Sequence, residues 1–252
     1  MTRYFIRLAY DGTPFCGWQR QPNGVTVQQT LEESMSTMLR IPVSLTGAGR
    51  TDAGVHAADF YAHFELNDMW SEEELKRLVF RLNRFLCDEI SVSSIFPVHP
   101  RAHARFNATS RTYRYCVARS KNPFRRNYSH YVYGPIDTEL MNEGAAVIMH
   151  YNDFTSFSKV DTDTRTNICT ITSANWEMEG NELVFTITAD RFLRNMVRSI
   201  VGTLLELGLG KISIGDLKVI IESKNRSNAG DSMPSKGLVL HRIVYPENIY
   251  LQ

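Results

Sequence analysis

Apolar positions recur along this chain with the periods of strands and helices. Tyr4 to Tyr10 mixes β-forming residues with Arg7 and predicts a strand, ended by the turn signal Asp11-Gly12-Thr13-Pro14. Val27, Leu31, Met35, Met38 and Leu39 then follow three- and four-residue steps behind Thr26 and Gln29 at capping-box spacing, and Pro42 closes that helix. Val43 to Leu45 reads as a short strand running into Gly47-Ala48-Gly49-Arg50-Thr51-Asp52-Ala53-Gly54, whose three glycines predict a tight functional loop. Asp59 to Leu66 predicts a second strand. A helix beginning at Ser71, with Glu74 completing another capping box, carries the apolar stripe Leu75, Leu78, Val79, Leu82 and Leu86, and Ile90 to Phe96 is strand-like.

Composition shifts around Pro97 to Pro100, which divides the chain into 1–100 and 101–252. In the second part Arg111 to Ala118 predicts a strand and Thr138 to Met149 a helix behind Asp137. Ile171 to Met178 and Leu183 to Ala189 predict a hairpin around Glu179-Gly180-Asn181. Asn195 to Leu207 predicts a strongly apolar helix, Ser213 starts a short one, and Gly237 to Tyr245 a closing strand. The polar stretch Lys224 to Ser235 reads as a mobile loop. Both parts run strand, helix, strand pairs, helix, so the expected class is α+β, a duplicated unit with antiparallel sheets and helices on one face.

Composition narrows the class. Of 252 residues, 43% are hydrophobic and 22% charged, values that exclude a disordered chain, a collagen and a coiled coil. No CxxC pair occurs among Cys16, Cys87, Cys116 and Cys169, no apolar leader precedes the first strand, and no run approaches a membrane span. The expectation is a cytoplasmic protein with reduced thiols, no membrane association and no metal. His99 and His103 have helical metal spacing, but Pro100 lies between them and a third ligand is missing.

The net charge is only +1, which removes a high overall pI as an argument for nucleic-acid binding. The local distribution restores it. From Ile90 to Ile136 there is no Asp or Glu, while Arg101, Arg105, Arg111, Arg114, Arg119, Lys121, Arg125 and Arg126 stand among Phe106, Tyr113, Tyr115, Phe124, Tyr128, Tyr131 and Tyr133. Guanidinium groups bind phosphate and aromatic faces stack on unpaired bases, so a polyanion with exposed bases is the natural partner. Arg119 and Lys121 are read as RNA-binding. A solvated strand face with acids supplied by neighbours in space is the plain alternative.

Asp52, among small neighbours, has the place of a nucleophile, a general base, a metal ligand or an Asx-turn residue. A metal is disfavoured: the next carboxylate, Asp59, is seven residues on, and His56 is a single partner. Arg191, Arg194 and Arg198 fall at helical steps and predict a cationic stripe on the apolar helix, in need of an acidic partner. Tyr113 and Tyr115 share a strand face, flanked by Arg111 and Arg114 on the other, as a stacking platform or a core pair.

Taken together these segments resemble a known family. Gly49 to Ala57, GRTDAGVHA, is similar to the catalytic motif of the TruA family of tRNA pseudouridine synthases. Tyr10 to Gln21 (YDGTPFCGWQRQ), His103 to Tyr115 (HARFNATSRTYRY), Asn152 to Phe157 (NDFTSF), Arg191 to Leu204 (RFLRNMVRSIVGTL) and Gly237 to Pro246 (GLVLHRIVYP) resemble its other signatures, in family order. The resemblance implies the pseudouridine synthase fold: two similar lobes with helices on the outer faces and a central RNA-binding cleft. It implies a homodimer that isomerises uridines at tRNA positions 38, 39 and 40 in the anticodon arm. Asp52 falls on the catalytic aspartate, Arg50 on the arginine that helps flip the base, and Tyr113 on the tyrosine that contacts the uracil. Arg198 falls on the basic residue paired with the catalytic carboxylate, and Arg105 and Arg165 on tRNA-facing positions. The isomerisation loses no atom and changes no oxidation state, so no cofactor is expected. Two other classes stay open on the residues alone: a silent RNA-binding module, which leaves Asp52 idle, and a nucleoside or glycoside hydrolase, which needs a second carboxyl that the motifs do not show.

Overall fold

The computed structural model describes residues 1–159 and 166–251. The fold is α+β, and the chain forms two compact units: Met1–Thr109 with Leu240–Gln252, and Ser110–Val239. Arg165, Asp161 and Asp163 lie outside the described residues. Among the described residues no helix is long and apolar enough to cross a membrane.

In the first unit, β1 (Thr2–Tyr10) runs antiparallel to both β3 (His56–Leu66) and β4 (Ile90–Pro97). With β9 (Leu238–Val244) the strand order is β4-β1-β3-β9, and the two-residue β2 (Thr46–Gly47) hangs on β3 at His63 and Ala62. Strand alternation gives the sheet two apolar faces. Tyr4, Ile6, Leu8, Tyr10, Phe60 and Phe64 are buried on one; Phe5, Tyr61 and Tyr245 meet on the other with ring centroids 5.1–6.4 Å apart. Each such side chain taken from water contributes about 1.5–3 kcal/mol.

The helices begin where their caps predict. In α1 (Val27–Leu39) the Thr26 side chain accepts from the Gln29 amide, and in α2 (Glu72–Phe85) Ser71 and Glu74 form the full reciprocal box. Leu75, Leu78 and Leu82 of α2 are buried, while Val79 and Leu86 are only partly so. Val43 to Leu45 is not a strand, because side chains of α1 take the place of a strand partner: Val43 N–H donates to Ser36 Oγ (2.9 Å) and Leu45 N–H to Glu32 Oε1 (2.9 Å).

In the second unit, β5 (Ser110–Ala118), β8 (Glu182–Ala189) and β7 (Ile171–Glu179) form an antiparallel run in the order β5-β8-β7, with β6 (His130–Tyr131) parallel to β5. The hairpin turns through Gly180 at φ 60°, a left-handed conformation that suits glycine. Of the helices, α3 (Thr138–Met149) is fastened to β7 by Asn142, whose amide donates to Trp176 O (3.1 Å) and accepts from Trp176 N (2.7 Å). It lies so close to α4 (Met196–Gly208) that a Cβ on Gly144 would come within 2.5 Å of Leu207. The short α5 (Ile214–Glu222) starts at a Ser213–Asp216 capping box.

The structure departs from the sequence pattern at two sets of arginines. Arg191 and Arg194 precede α4, whose N-cap Asn195 sits at φ 68°, so the three arginines form no helical stripe. Arg111 falls on the same side of β5 as the tyrosines by the two-residue repeat and donates to Asp190 O (2.7 Å), while Arg114 pairs with Glu179. The loop 224–235 is hydrogen-bonded to α4, with Gly230 N–H on Thr203 Oγ1 (2.9 Å) and Met233 N–H on Arg198 O (3.2 Å).

Candidate active site

The loop that carries Asp52 is built by two stretches of the first unit that are distant in sequence. Ala48 N–H donates to Tyr61 O (2.7 Å), which fixes the loop's entry on β3. Thr51 is buried; its hydroxyl lies 2.9 Å from Tyr10 Oη, and its carbonyl accepts from Trp18 N–H (3.2 Å). Gly54, at φ 75°, donates to Phe15 O (3.3 Å), and Val55 N–H returns to Asp52 O (3.1 Å) to close the turn. The segment Tyr10 to Trp18 therefore cradles residues 51–55 along their backbone.

Glycine makes that approach possible. A Cβ on Gly12 would sit 2.1 Å from Val55 O, and one on Gly17 would sit 2.4 Å from Thr51 O at φ +84°. Trp18 packs on Phe60, the rings tilted by 32° with centroids 4.1 Å apart, and covers Gly47, where a Cβ would fall 2.4 Å from its indole nitrogen. The glycines and Trp18 of this segment are thus structural partners of the Asp52 loop.

Held this way, Asp52 is half-buried and Arg50 exposed. The other acids and histidines near Asp52 in sequence have different tasks. Asp59 pairs with Arg7 (2.6 Å) and accepts from Ile243 N–H of β9 (3.4 Å). His56 is buried, its Nδ1 within 3.0 Å of Asp11 Oδ1 and 3.1 Å of Gly12 N. His99 Nδ1 accepts from Arg101 N–H and His103 Nδ1 from Arg105 N–H, so both rings are engaged by their own loop. Among the described residues no group of three or more His, Cys, Asp or Glu is placed to hold a metal ion. Arg105 is exposed, with its guanidinium 5.7 Å from the Phe106 ring.

The second unit holds the other expected site residues. Tyr113 is half-buried with its ring edge-on to Phe192 at 5.0 Å, whereas Tyr115 is wholly buried and donates to Pro234 O (2.9 Å). Burial drives the Tyr115 phenol well above the usual tyrosine range, against the opposing charge of Arg198. Arg198 Nε donates to Met233 O, so β5 and α4 both hold the 233–234 segment. Arg119 donates to the carbonyls of Val132 and Gly134 and braces the turn that follows β6, while Lys121 is exposed. Of this pair, Lys121 presents its charge outward and Arg119 directs its own into the loop.

Comparison with known proteins assigns the class. A family profile described as tRNA pseudouridine synthase matches residues 151–246. The chain is 53% identical to the tRNA pseudouridine synthase A of Parabacteroides distasonis, over 99% of this chain and 98% of that one. It is 51% identical to the protein of that name from Bacteroides fragilis (98% of each) and 39% identical to that of Streptococcus agalactiae (98% of this chain, 96% of the other). Profile and relatives agree on one class, the pseudouridine synthases that act on tRNA. Within that class, the chain belongs to the TruA family.

Proposed function

We propose that Asp52 is the residue through which this chain converts uridine to pseudouridine in tRNA. The observation that carries this is the Asp52 carboxylate at a turn held by backbone bonds to Phe15, Trp18 and Tyr61 and by the Tyr10–Thr51 hydroxyl contact, half-buried beside an exposed Arg50. Full-length identity to enzymes of that activity supports the chemistry.

The N1–C1′ bond of the uridine breaks, the uracil turns, C5 bonds to C1′, and the C5 proton leaves to solvent as N1 gains one. One carboxylate serves this sequence, either by attacking C1′ or by taking the 2′ proton. Water must be kept out, since hydrolysis of the intermediate would lose the base. The target base must first leave its stack, at a cost of a few kcal/mol, and Arg50 is placed two residues before Asp52 to fill the gap.

Tyr113 contacts the extruded uracil and Arg198 supports the reacting carboxylate, in a protein whose two lobes bind one tRNA in a central cleft. Arg105, Lys121 and Arg165 bind the tRNA away from the reacting base, while Arg119, expected to join them, braces the turn after β6 instead. The substrates are uridines 38, 39 and 40 of the anticodon arm, and the working form is a homodimer in the cytoplasm. Free thiols at Cys16, Cys87, Cys116 and Cys169 fit that compartment.

The test uses tRNA tritiated at uridine C5. Wild-type protein releases tritium, whereas Asp52→Ala binds the tRNA and releases none; pseudouridine formed by that variant refutes the assignment.

A further inference from the structure

A row of polar side chains on one face of α1, Gln28, Glu32 and Ser36, lies at four-residue steps and fastens the chain on both sides of the helix. Glu32 is a buried carboxylate for which the reaction has no use. Its Oε1 accepts from Leu45 N–H (2.9 Å) and from Gln28 Nε2 (3.0 Å), and its Oε2 lies 3.4 Å from the Arg20 guanidinium. Gln28 Nε2 also donates to Leu45 O (2.9 Å), while its Oε1 accepts from Arg20 N–H (2.9 Å). Both backbone groups of Leu45 are thus satisfied by two side chains of one helix, as a neighbouring strand would do it. Ser36 repeats the device on Val43 N–H.

Leu45 is the residue before β2, and β2 leads through Ala48 into the turn at Asp52. Arg20, held by the same Gln28, closes the segment that cradles that turn from the other side. The two stretches that define the loop therefore meet on one pair of side chains.

We propose that Gln28 and Glu32 are positioning residues for the isomerisation: they set the height of the Asp52 loop by fixing Leu45 and Arg20 to α1. This rests on Asp52 being the reactive carboxylate. A buried amide deprived of its acceptor seeks a new one, and the loop shifts to supply it. In enzymes generally, a displacement near 1 Å can cost up to about 100-fold in rate.

The experiment measures the single-turnover rate constant for pseudouridine formation at saturating enzyme, tRNA affinity by filter binding, and thermal melting, on wild type, Glu32→Ala, Glu32→Gln and Gln28→Met. Wild type and Asp52→Ala are run alongside. We expect Glu32→Ala, folded at the assay temperature, to react at least about 10-fold slower with tRNA affinity within about twofold of wild type. Glu32→Gln keeps an acceptor for Leu45 and returns the rate to within about threefold. If Glu32→Ala does not fold, the near-isosteric Gln28→Met carries the same expectation. A merely structural role lowers the melting temperature and leaves the rate constant of folded enzyme at the wild-type value. That result, or a Glu32→Gln as slow as Glu32→Ala, overturns the proposal. An inactive wild type or an active Asp52→Ala overturns the functional reading instead.

Discussion

The hydroxyl groups of Tyr10 and Thr51 lie 2.9 Å apart in a buried position, one residue before Asp52. The contact joins β1 to the loop. Removing either hydroxyl deletes a hydrogen bond in a buried setting. Tyr10→Phe and Thr51→Val should each cost about 1–2 kcal/mol in urea unfolding, and the double variant should cost less than their sum.

Backbone contact at glycine makes a sharper prediction. Gly12→Ala and Gly17→Ala force a methyl group against Val55 O and Thr51 O, both backbone atoms that move only with the loop. Both variants should remain folded and lose about tenfold or more in turnover. Gly49→Ala is the control for stability, since nothing lies within 4 Å of its added Cβ. Circular dichroism melts together with tritium release read both effects.

Acid should destabilise the first unit through His63. Burial, then the neighbouring His103 and Arg3, lower its pKa from 6.5 to about 4, against a smaller opposing pull from Glu65. Its Nδ1 accepts from Ala104 N–H (3.2 Å), which requires the unprotonated nitrogen. The unfolded chain takes up a proton near pH 6.5 that the folded ring refuses until about pH 4. This contribution is therefore complete above pH 6.5 and is lost as pH falls toward 4. It is worth up to about 2–3 kcal/mol, and His103, lowered for the same main reason, adds to it. Denaturant midpoints between pH 7 and 4.5 should fall less in His63→Gln than in wild type.

Affinity for tRNA should drop steeply with salt, as counterions are released from the phosphates. Arg105→Ala and Lys121→Ala each remove an exposed cation. Each should reduce the slope of log affinity against log salt by about 0.7–0.9 while leaving the single-turnover rate at saturating enzyme unchanged. Filter binding from 50 to 200 mM salt decides it. Arg119→Ala should act differently, through stability, because its guanidinium holds the carbonyls of Val132 and Gly134.

What the sequence reveals here is whatever local physics decides. Thr26, Ser71, Asp137 and Ser213 mark their helices because a cap is read within four residues. The hairpin around Gly180 is legible for the same reason. Val43 to Leu45 has strand-like composition, and only the folded chain shows that Ser36, Glu32 and Gln28 occupy the place of a strand neighbour. The arginines before α4 follow helical spacing, but Asn195 in the left-handed region interrupts the helix before it reaches them. The site divides the same way. Asp52 is conspicuous among small residues, whereas its dependence on Gly12, Gly17 and Trp18 is a contact across tens of residues that no periodicity encodes.

The closing segment from Leu240 belongs to the unit that begins at Met1. Tyr245 packs on Phe5 and Tyr61 and donates to Ala104 O at 2.6 Å, and β9 lies beside β3. On the ribosome, the half that presents Asp52 thus emerges first and waits through the synthesis of all of Ser110–Val239 before its sheet gains a last strand. Until then the part of that flank of β3 not covered by β2 is an open edge, and a nascent chain must shield it or pair it with something else.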